Sequence, residues 1–302
     1  MARTIFQILL ILSIFSVPLT GLNAQTVKFR HLLSLYFDDK EVGMKNPEGV
    51  ACSEKSLLVV SDTENGRLLR YILQGKVVKA EGEIKVPQLT YPLRVQINSK
   101  GEIFVLDGKK RRILRLSPAG EFRGYLDIQG LPSSPAIVPR SFKIGTNDSI
   151  YILDIFGERV IELGPDGKYQ KHLEFPKDYG FFSDLAVDSK GNLFLIDSTQ
   201  RMVYSAAREA KGFLPLTKNL REHLNFPTCL TTDTRGRIYI VDENGAGIVI
   251  LGQDGSFIGR QLSMGWTEGF LYYPSQICVS EKGEVFVADR GNNRVQVFAV
   301  VQ

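Results

Sequence analysis

"YPSQICVSEKGEVFVADRGNNRVQVFAVVQ", residues 273–302, reads as three β-strands in a row. The runs PSQICV, EVFVAD and RVQVFAVV are rich in Val, Ile and Phe, and turn-forming residues separate them. The middle run ends in apolar-apolar-X-Asp, and that ending recurs along the chain. VVSD, FVLD, YILD, FLID, YIVD and FVAD close at Asp62, Asp107, Asp154, Asp197, Asp242 and Asp289, with spacings of 45, 47, 43, 45 and 47.

Each copy keeps further register. Fifteen residues before the Asp stand Pro47, Pro92, Pro139, Phe182, Pro227 and Pro274. Six before it stand Ser56, Gly101, Asp148, Gly191, Gly236 and Gly283, all residues that suit turns. Five after it stand Arg67, Arg112, Arg159, Met202, Gly247 and Arg294. The fourth copy departs most often. Its stretch TQRMVYSAAREAKG has some helical look, but its middle falls on a third-strand position and is read as strand.

Four short strands in about 45 residues, repeated, are the pattern of a β-propeller. A four-stranded blade has two apolar faces and cannot bury them alone; its neighbours do so. The expected fold is all-β: one six-bladed propeller of four-stranded blades over residues 25–302, with blades starting near 47, 92, 139, 182, 227 and 274. Thirteen residues after Asp289, where other copies place a Gly turn, is Gln302, so the sixth copy has three strands. Residues 26–37, TVKFRHLLSLYF, resemble fourth strands elsewhere and are expected to pair with RVQVFAV and close the ring.

The units resemble NHL repeats. ADRGNNRVQVF carries the Asp, Asn, Arg-Val and Val-Phe of that repeat, and VVSDTENGRLLRY and FVLDGKKRRILRL follow it. The resemblance implies a propeller but no single activity. Similar proteins include RNA- or protein-binding modules, lyases acting on peptides and many extracytoplasmic proteins. The lyases hold a zinc at the channel with histidines, and related lactonases hold calcium with carboxylates and amides.

Before the repeats, residues 1–24 have Arg3, an apolar run from Ile5 to Val17, then Pro18, Gly21 and small residues. That order is a secretory signal peptide with cleavage after Ala24, and it predicts a secreted or periplasmic protein with no span left after cleavage. The run is also open to reading as a retained anchor. The net charge of +4 over 302 residues does not call for nucleic acid. The loop GKKRRILR gathers Lys109, Lys110, Arg111 and Arg112, but a solvated loop accounts for it.

A polar feature present in nearly every blade serves the blade, so the repeated Asp and Arg are read as structural. Function is expected where blades differ. The two residues after the Pro position vary, and they place Glu48, Arg94, Arg140, Asp184 and Gln276 at one mouth of the central channel. Tyr91, Phe181, Phe226 and Tyr273 ring the same entrance, and GWTEGFLYYP adds Trp266, expected to be partly exposed. These six candidates, Glu48, Arg94, Arg140, Asp184, Gln276 and Trp266, suit a protein or an envelope or extracellular polymer as partner. Alternatively the polar ones pair among themselves and the aromatics wedge between blades.

No catalytic residue is assigned. The chain has only His31, His172 and His223, none at a channel position, and no EF-hand, G-x-S-x-G, P-loop or C-x-x-C pattern. No cofactor is indicated, although Glu48 and Asp184 could contribute to a calcium site. Cys52, Cys229 and Cys278 are read as free thiols. Cys52 and Cys278 fall at first-strand positions of opposite parity, the fifth and the fourth, so they can face each other across the closing seam, but inner strands of adjacent blades usually stand too far apart for a bridge. The expected state is a monomeric binding platform; a metal-dependent hydrolase or lyase at the channel is the alternative.

Overall fold

The computed structural model describes residues 27–53, 56–74, 77–132 and 136–301. The expected signal peptide lies outside the described residues. Among those described, no helix is long and apolar enough to cross a membrane.

Six four-stranded antiparallel sheets make the ring. The first strand, β1 (Lys28–Leu35), precedes all the repeats. Blade 1 is β2 (Pro47–Cys52), β3 (Leu57–Asp62), β4 (Arg67–Gln74) and β5 (Val77–Ile84). Blade 2 is β6 (Pro92–Ile97), β7 (Ile103–Asp107), β8 (Arg112–Leu116) and β9 (Phe122–Tyr125). Blade 3 is β10 (Pro139–Ile144), β11 (Ile150–Asp154), β12 (Arg159–Leu163) and β13 (Tyr169–Glu174). Blade 4 is β14 (Phe182–Val187), β15 (Leu193–Asp197), β16 (Met202–Ala206) and the two-residue β17 (Leu214–Pro215). Blade 5 is β18 (Pro227–Thr232), β19 (Ile238–Asp242), β20 (Gly247–Leu251) and β21 (Phe257–Gln261). Blade 6 has three strands of its own: β22 (Pro274–Val279), β23 (Glu284–Asp289) and β24 (Arg294–Val301).

The fourth strand of blade 6 is β1. It runs antiparallel to β24 from Lys28 opposite Val301 to Leu35 opposite Val295. This pairing covers the β24 edge that would otherwise be exposed. Phe29 stacks on Phe298 and reaches Tyr239 of blade 5, so the clasp also packs across a seam.

Hydrophobic packing sits between blades. Each seam has its own cluster, as where Val59 and Leu68 of blade 1 meet Val95 and Val105 of blade 2. Met44, Val50, Val60 and Tyr71 likewise meet Phe286 and Val297 where blades 1 and 6 close. Cys52 and Cys278 pack against this last cluster, and both are free. Turn geometry repeats as well: Ser56, Gly101, Asp148, Gly191, Gly236 and Gly283 all have left-handed φ, between 61° and 83°. Asp148 and Ser56 adopt it at a steric cost that the glycines do not incur.

The repeated Asp side chains hold the ring's upper loops. All six accept a hydrogen bond from a backbone N–H 16 or 17 residues upstream: Lys45, Thr90, Val138, Gly180, Asn225 and Tyr272 are examples from blades 1 to 6. Each carboxylate thus ties the end of its second strand to the loop that enters the first strand. Three also pair with the Arg five residues on: Arg67, Arg159 and Arg294, at 2.7, 3.2 and 2.7 Å. Arg112 instead lies 3.6 Å over the ring of Tyr125. In blade 5, where Gly247 stands at this position, Arg260 of the next strand reaches Asp242 at 2.8 Å. A Cβ on Gly247 would stand 2.6 Å from that guanidinium, so glycine here makes room for the displaced arginine.

Candidate functional site

Every innermost strand carries the same irregularity. Pairing with the second strand slips between the first and third residues in five blades, at Pro47/Gly49, Pro92/Arg94, Pro139/Ser141, Phe182/Asp184 and Pro227/Cys229. In blade 6 it slips between Pro274 and Ile277. A bulge inserts an extra residue and re-aims side chains. Two consecutive residues per blade therefore leave the ordinary alternation, forming an upper and a lower layer at one end of the channel.

The lower layer is Gly49, Arg94, Ser141, Asp184, Cys229 and Gln276, one from each blade. All are buried: Asp184 is 0% exposed, Gln276 1% and Arg94 8%. Their partners explain why polar groups are tolerated there. An innermost strand has one unpaired edge facing the channel, and its backbone groups need partners. Arg94 donates to Glu48 O at 3.3 Å, Asp184 accepts from Leu230 N at 3.0 Å, and Gln276 Nε2 donates to Val95 O at 3.4 Å. Gln276 is on blade 6 and Val95 on blade 2, so its side chain crosses the lumen.

Asp184 also accepts from the Ser141 hydroxyl and pairs with Lys143 at 3.4 Å. Burial would raise its pKa, but Lys143, Arg94 and Ser141 outweigh that and hold it below the usual carboxylate range. The Cys229 thiol beside it is pushed up to about 12, first by burial and then by the Asp184 charge. Against its own burial, Arg94 is held charged by its neighbours, the carboxylates of Asp184, Glu48 and Glu243 among them.

The upper layer, Glu48, Leu93, Arg140, Ser183, Thr228 and Ser275, borders the opening. Arg290 joins Glu48 at 3.4 Å to Glu243 at 2.7 Å. Arg290 and Glu243 each directly follow a repeated Asp. Reading the inner strands alone misses them, as it misses Lys143; the residue after the Asp also varies between copies (Thr63, Gly108, Ile155, Ser198, Glu243, Arg290), and that is the signal for two of the three.

Arg140 differs from the others. It is exposed, and among the described residues it has no ion pair or hydrogen bond; its guanidinium lies 5.4 Å from the Phe181 ring centroid. Crowding in the mouth and the neighbouring Arg94 both pull its pKa below the ordinary arginine value. The two guanidinium groups are thus close enough to repel, and they share the carboxylates of Asp184, Glu48 and Glu243 between them. Thr228 Oγ1 in the upper layer and Gln276 Oε1 in the lower one are buried with no hydrogen-bond partner among the described residues.

Of the six candidates from sequence, Glu48 and Arg140 border the opening, and Arg94, Asp184 and Gln276 form its floor. Trp266 lies apart on the long connection into blade 6; it is 73% exposed and its ring centroid is 6.0 Å from that of Tyr272. The residue before the Pro position is aromatic in four blades and partly exposed in each (Tyr91, Phe181, Phe226, Tyr273). Cations cover three of these rings: Lys109 over Tyr91, Arg140 over Phe181 and Arg290 over Tyr273. The basic loop is thereby dispersed, with Lys109 on the rim, Lys110 bonded to Gln88 O and Arg112 stacked on Tyr125.

The donor set does not fit zinc or calcium. Glu48 and Glu243 share Arg290, and Asp184 pairs with Lys143, so each of these three carboxylates already contacts a cation. Among the described residues no three His, Cys, Asp or Glu gather in a way that could hold an ion. His31 is on the clasp, His172 bonds Tyr169 in β13, and His223 stacks on Phe257, all away from the lumen.

A model of the NHL repeat matches residues 271–298. No curated protein matches the chain. Among solved structures, a gluconolactonase from Xanthomonas campestris is 14% identical, covers 92% of this chain and 96% of its own, and superposes with a TM-score of 0.65. Virginiamycin B lyase from Staphylococcus aureus is 16% identical over 91% of this chain and 100% of its own, with a TM-score of 0.60. The PQQ-bound aldose sugar dehydrogenase of Streptomyces coelicolor is 13% identical over 91% and 98%, with a TM-score of 0.63. At these identities the likeness is one of fold. The chain is a six-bladed β-propeller whose last blade carries an NHL repeat and whose first strand completes that blade.

Proposed function

We propose that this chain is an extracytoplasmic binding platform, secreted or periplasmic, that seats a protein or an extracellular polymer on the channel mouth. The signal-like residues 1–24 support the compartment. One observation carries the site: Arg140 is exposed and unpaired beside exposed aromatic rings, above a floor of buried polar side chains. Such a floor stops a ligand from threading the channel, so it rests on the rim. The ring of interblade clusters fixes the rim residues, and a pre-formed site spends little ordering entropy on binding.

The alternative is a hydrolase or lyase working at the same mouth. It draws on the lyase and the gluconolactonase among the structural neighbours. The pairing of Glu48, Glu243 and Asp184 with cations weighs against a metal-dependent version.

The test uses the purified chain and the variant Arg140→Glu, which reverses the mouth charge that has no ion pair or hydrogen bond among the described residues. Both are passed over immobilised envelope polymers and envelope proteins. The platform reading expects retention of the first and loss of retention by the second, with unchanged melting. Equal retention sinks the mouth as the site, and turnover of a retained compound moves the reading to the enzyme.

A further inference from the structure

The mouth carries a charge imbalance that edge satisfaction does not explain. Within it lie Arg94, Arg140, Lys143 and Arg290 against Glu48, Asp184 and Glu243, leaving one positive charge uncompensated. Lys143 has Asp184, and Arg290 has two carboxylates. The surplus therefore falls on the Arg94–Arg140 pair. Arg94 donates to one carbonyl at 3.3 Å, and Arg140 to nothing among the described residues. Like charges placed together in a confined site repel, and each holds unused donors in a planar fork. A bound anion removes both costs. A surplus of one charge matches a carboxylate better than a phosphate dianion, and the guanidinium fork takes a carboxylate through two parallel hydrogen bonds. The buried Thr228 hydroxyl of the same layer, unpartnered among the described residues, supplies a further donor.

The surroundings narrow the source of the carboxylate. Phe156, two residues past Asp154 and so at the same end of blade 3 as Arg140, is 61% exposed, and Phe226, which holds in blade 5 the place of Phe181, is 38% exposed. Neither is among the rim rings that carry a cation. Flat, open rings at the same end of the ring as an unpaired guanidinium suit a pyranose, whose C–H face lies on a ring while its carboxylate meets the charge. A peptide would look for a free strand edge. At the lumen those backbone groups are engaged: Glu48 O by Arg94 and Ser275, Val95 O by Gln276, Leu230 N by Asp184.

We propose that the channel mouth binds the uronate units of an acidic polysaccharide, with Arg140 and Arg94 holding the sugar carboxylate and Phe156 and Phe226 flanking the ring. The inference rests on the channel-mouth reading of function and deepens it. Calorimetric titration of the full chain with oligogalacturonate, its methyl ester, oligoglutamate and inorganic phosphate tests it. Oligogalacturonate should bind, weaken as salt rises, and exceed the ester by about tenfold or more, since a charge-assisted contact is lost. Arg140→Gln should cost about as much, while Lys110→Gln, off the mouth, should leave affinity within about twofold. Phe156→Ala should weaken oligogalacturonate and leave melting unchanged. Equal binding of acid and ester, or an unaffected Arg140→Gln, overturns the seat. Tighter binding of oligoglutamate or phosphate than of oligogalacturonate overturns the sugar assignment. No binding of any probe overturns the inference while leaving the platform reading to its own test.

Discussion

Two sets of six buried residues lie near the top of the ring, and they differ in kind. The first set is six aspartates, one ending each second strand, identical in every blade. The second is Gly49, Arg94, Ser141, Asp184, Cys229 and Gln276, no two alike. Both are buried, and in both there are side chains that bond to backbone, so neither burial nor hydrogen bonding separates them. Repetition does. A group that solves a problem common to all blades, here a loop with unpaired N–H groups, is the same in all. A group that answers to something off the symmetry is free to vary, and that is where a ligand can be read.

The frame on which both sets hang should give the largest effect. Deleting residues 27–37 removes β1, exposes the β24 edge and takes away the Tyr36 hydroxyl that Arg294 reaches. Loss of several kcal/mol should lower the melting temperature by roughly 10 °C or more. A truncated chain that melts with the intact one would mean the clasp is not a closure.

Next is the repeated set itself. Asp197 accepts from the backbone N–H of Gly180, Phe181, Thr199 and Gln200, with no arginine to share the work. Asp197→Ala strands these donors, and each costs about 1 kcal/mol or more if left unsatisfied. Denaturant unfolding should show a loss of about 3–5 kcal/mol. A loss below 1 kcal/mol would erase the distinction between the two sets. Asp107 provides a pH version. Burial opposes its charge, but N–H groups of Lys110, Thr90 and Tyr91 hold its pKa down. A depressed carboxylate stabilises fully above its unfolded pKa, about 4, and loses that contribution as pH falls through its folded value. The stability gap between the chain and Asp107→Asn should therefore narrow below about pH 4; a gap constant with pH would contradict this.

The blade 5 exception tests whether the arginine belongs to the repeat or to the position. Gly247→Ala should cost about 1–3 kcal/mol, because its Cβ meets the Arg260 guanidinium. In an Arg260→Ser background that cost should disappear, a coupling that a double-mutant cycle reads directly. Equal costs in both backgrounds would show that the close approach is not what glycine relieves.

The expectations that came true are those tied to period. Six copies of the Asp, the Pro register and the left-handed turn positions determine a six-bladed ring, and the missing fourth strand of the last copy points to β1. What the period cannot carry is an event shared by all copies yet silent in composition. The bulge after Pro47 and its equivalents is one: it breaks the alternation of the two residues that follow, so that Arg94 and Asp184 join the buried floor while Leu93 and Ser183 precede them in the upper layer. Long-range pairing is another. Nothing local to Arg260 announces that it replaces an arginine missing thirteen residues earlier, or that Arg290 will join Glu48 to Glu243.

The varied set should yield small stability effects, and the contrast sharpens there. Cys229 is the chemical probe of its floor. With its thiol pushed up to about 12, almost no thiolate exists at pH 8, and iodoacetamide should leave it unlabelled in the folded chain while labelling it on unfolding. Prompt labelling in the native state would mean the floor is open to solvent. Arg140 is the probe of the rim. Its replacement by Ala removes an exposed side chain that has no ion pair or hydrogen bond among the described residues, so unfolding should change by no more than about 0.5 kcal/mol. Relief of its repulsion with Arg94 can even tip the sign toward stabilisation. A large loss would place Arg140 with the aspartates, as a part of the frame. A negligible loss, together with lost retention of a ligand, is the signature that no residue of the repeated set can produce, because there binding and stability fall together.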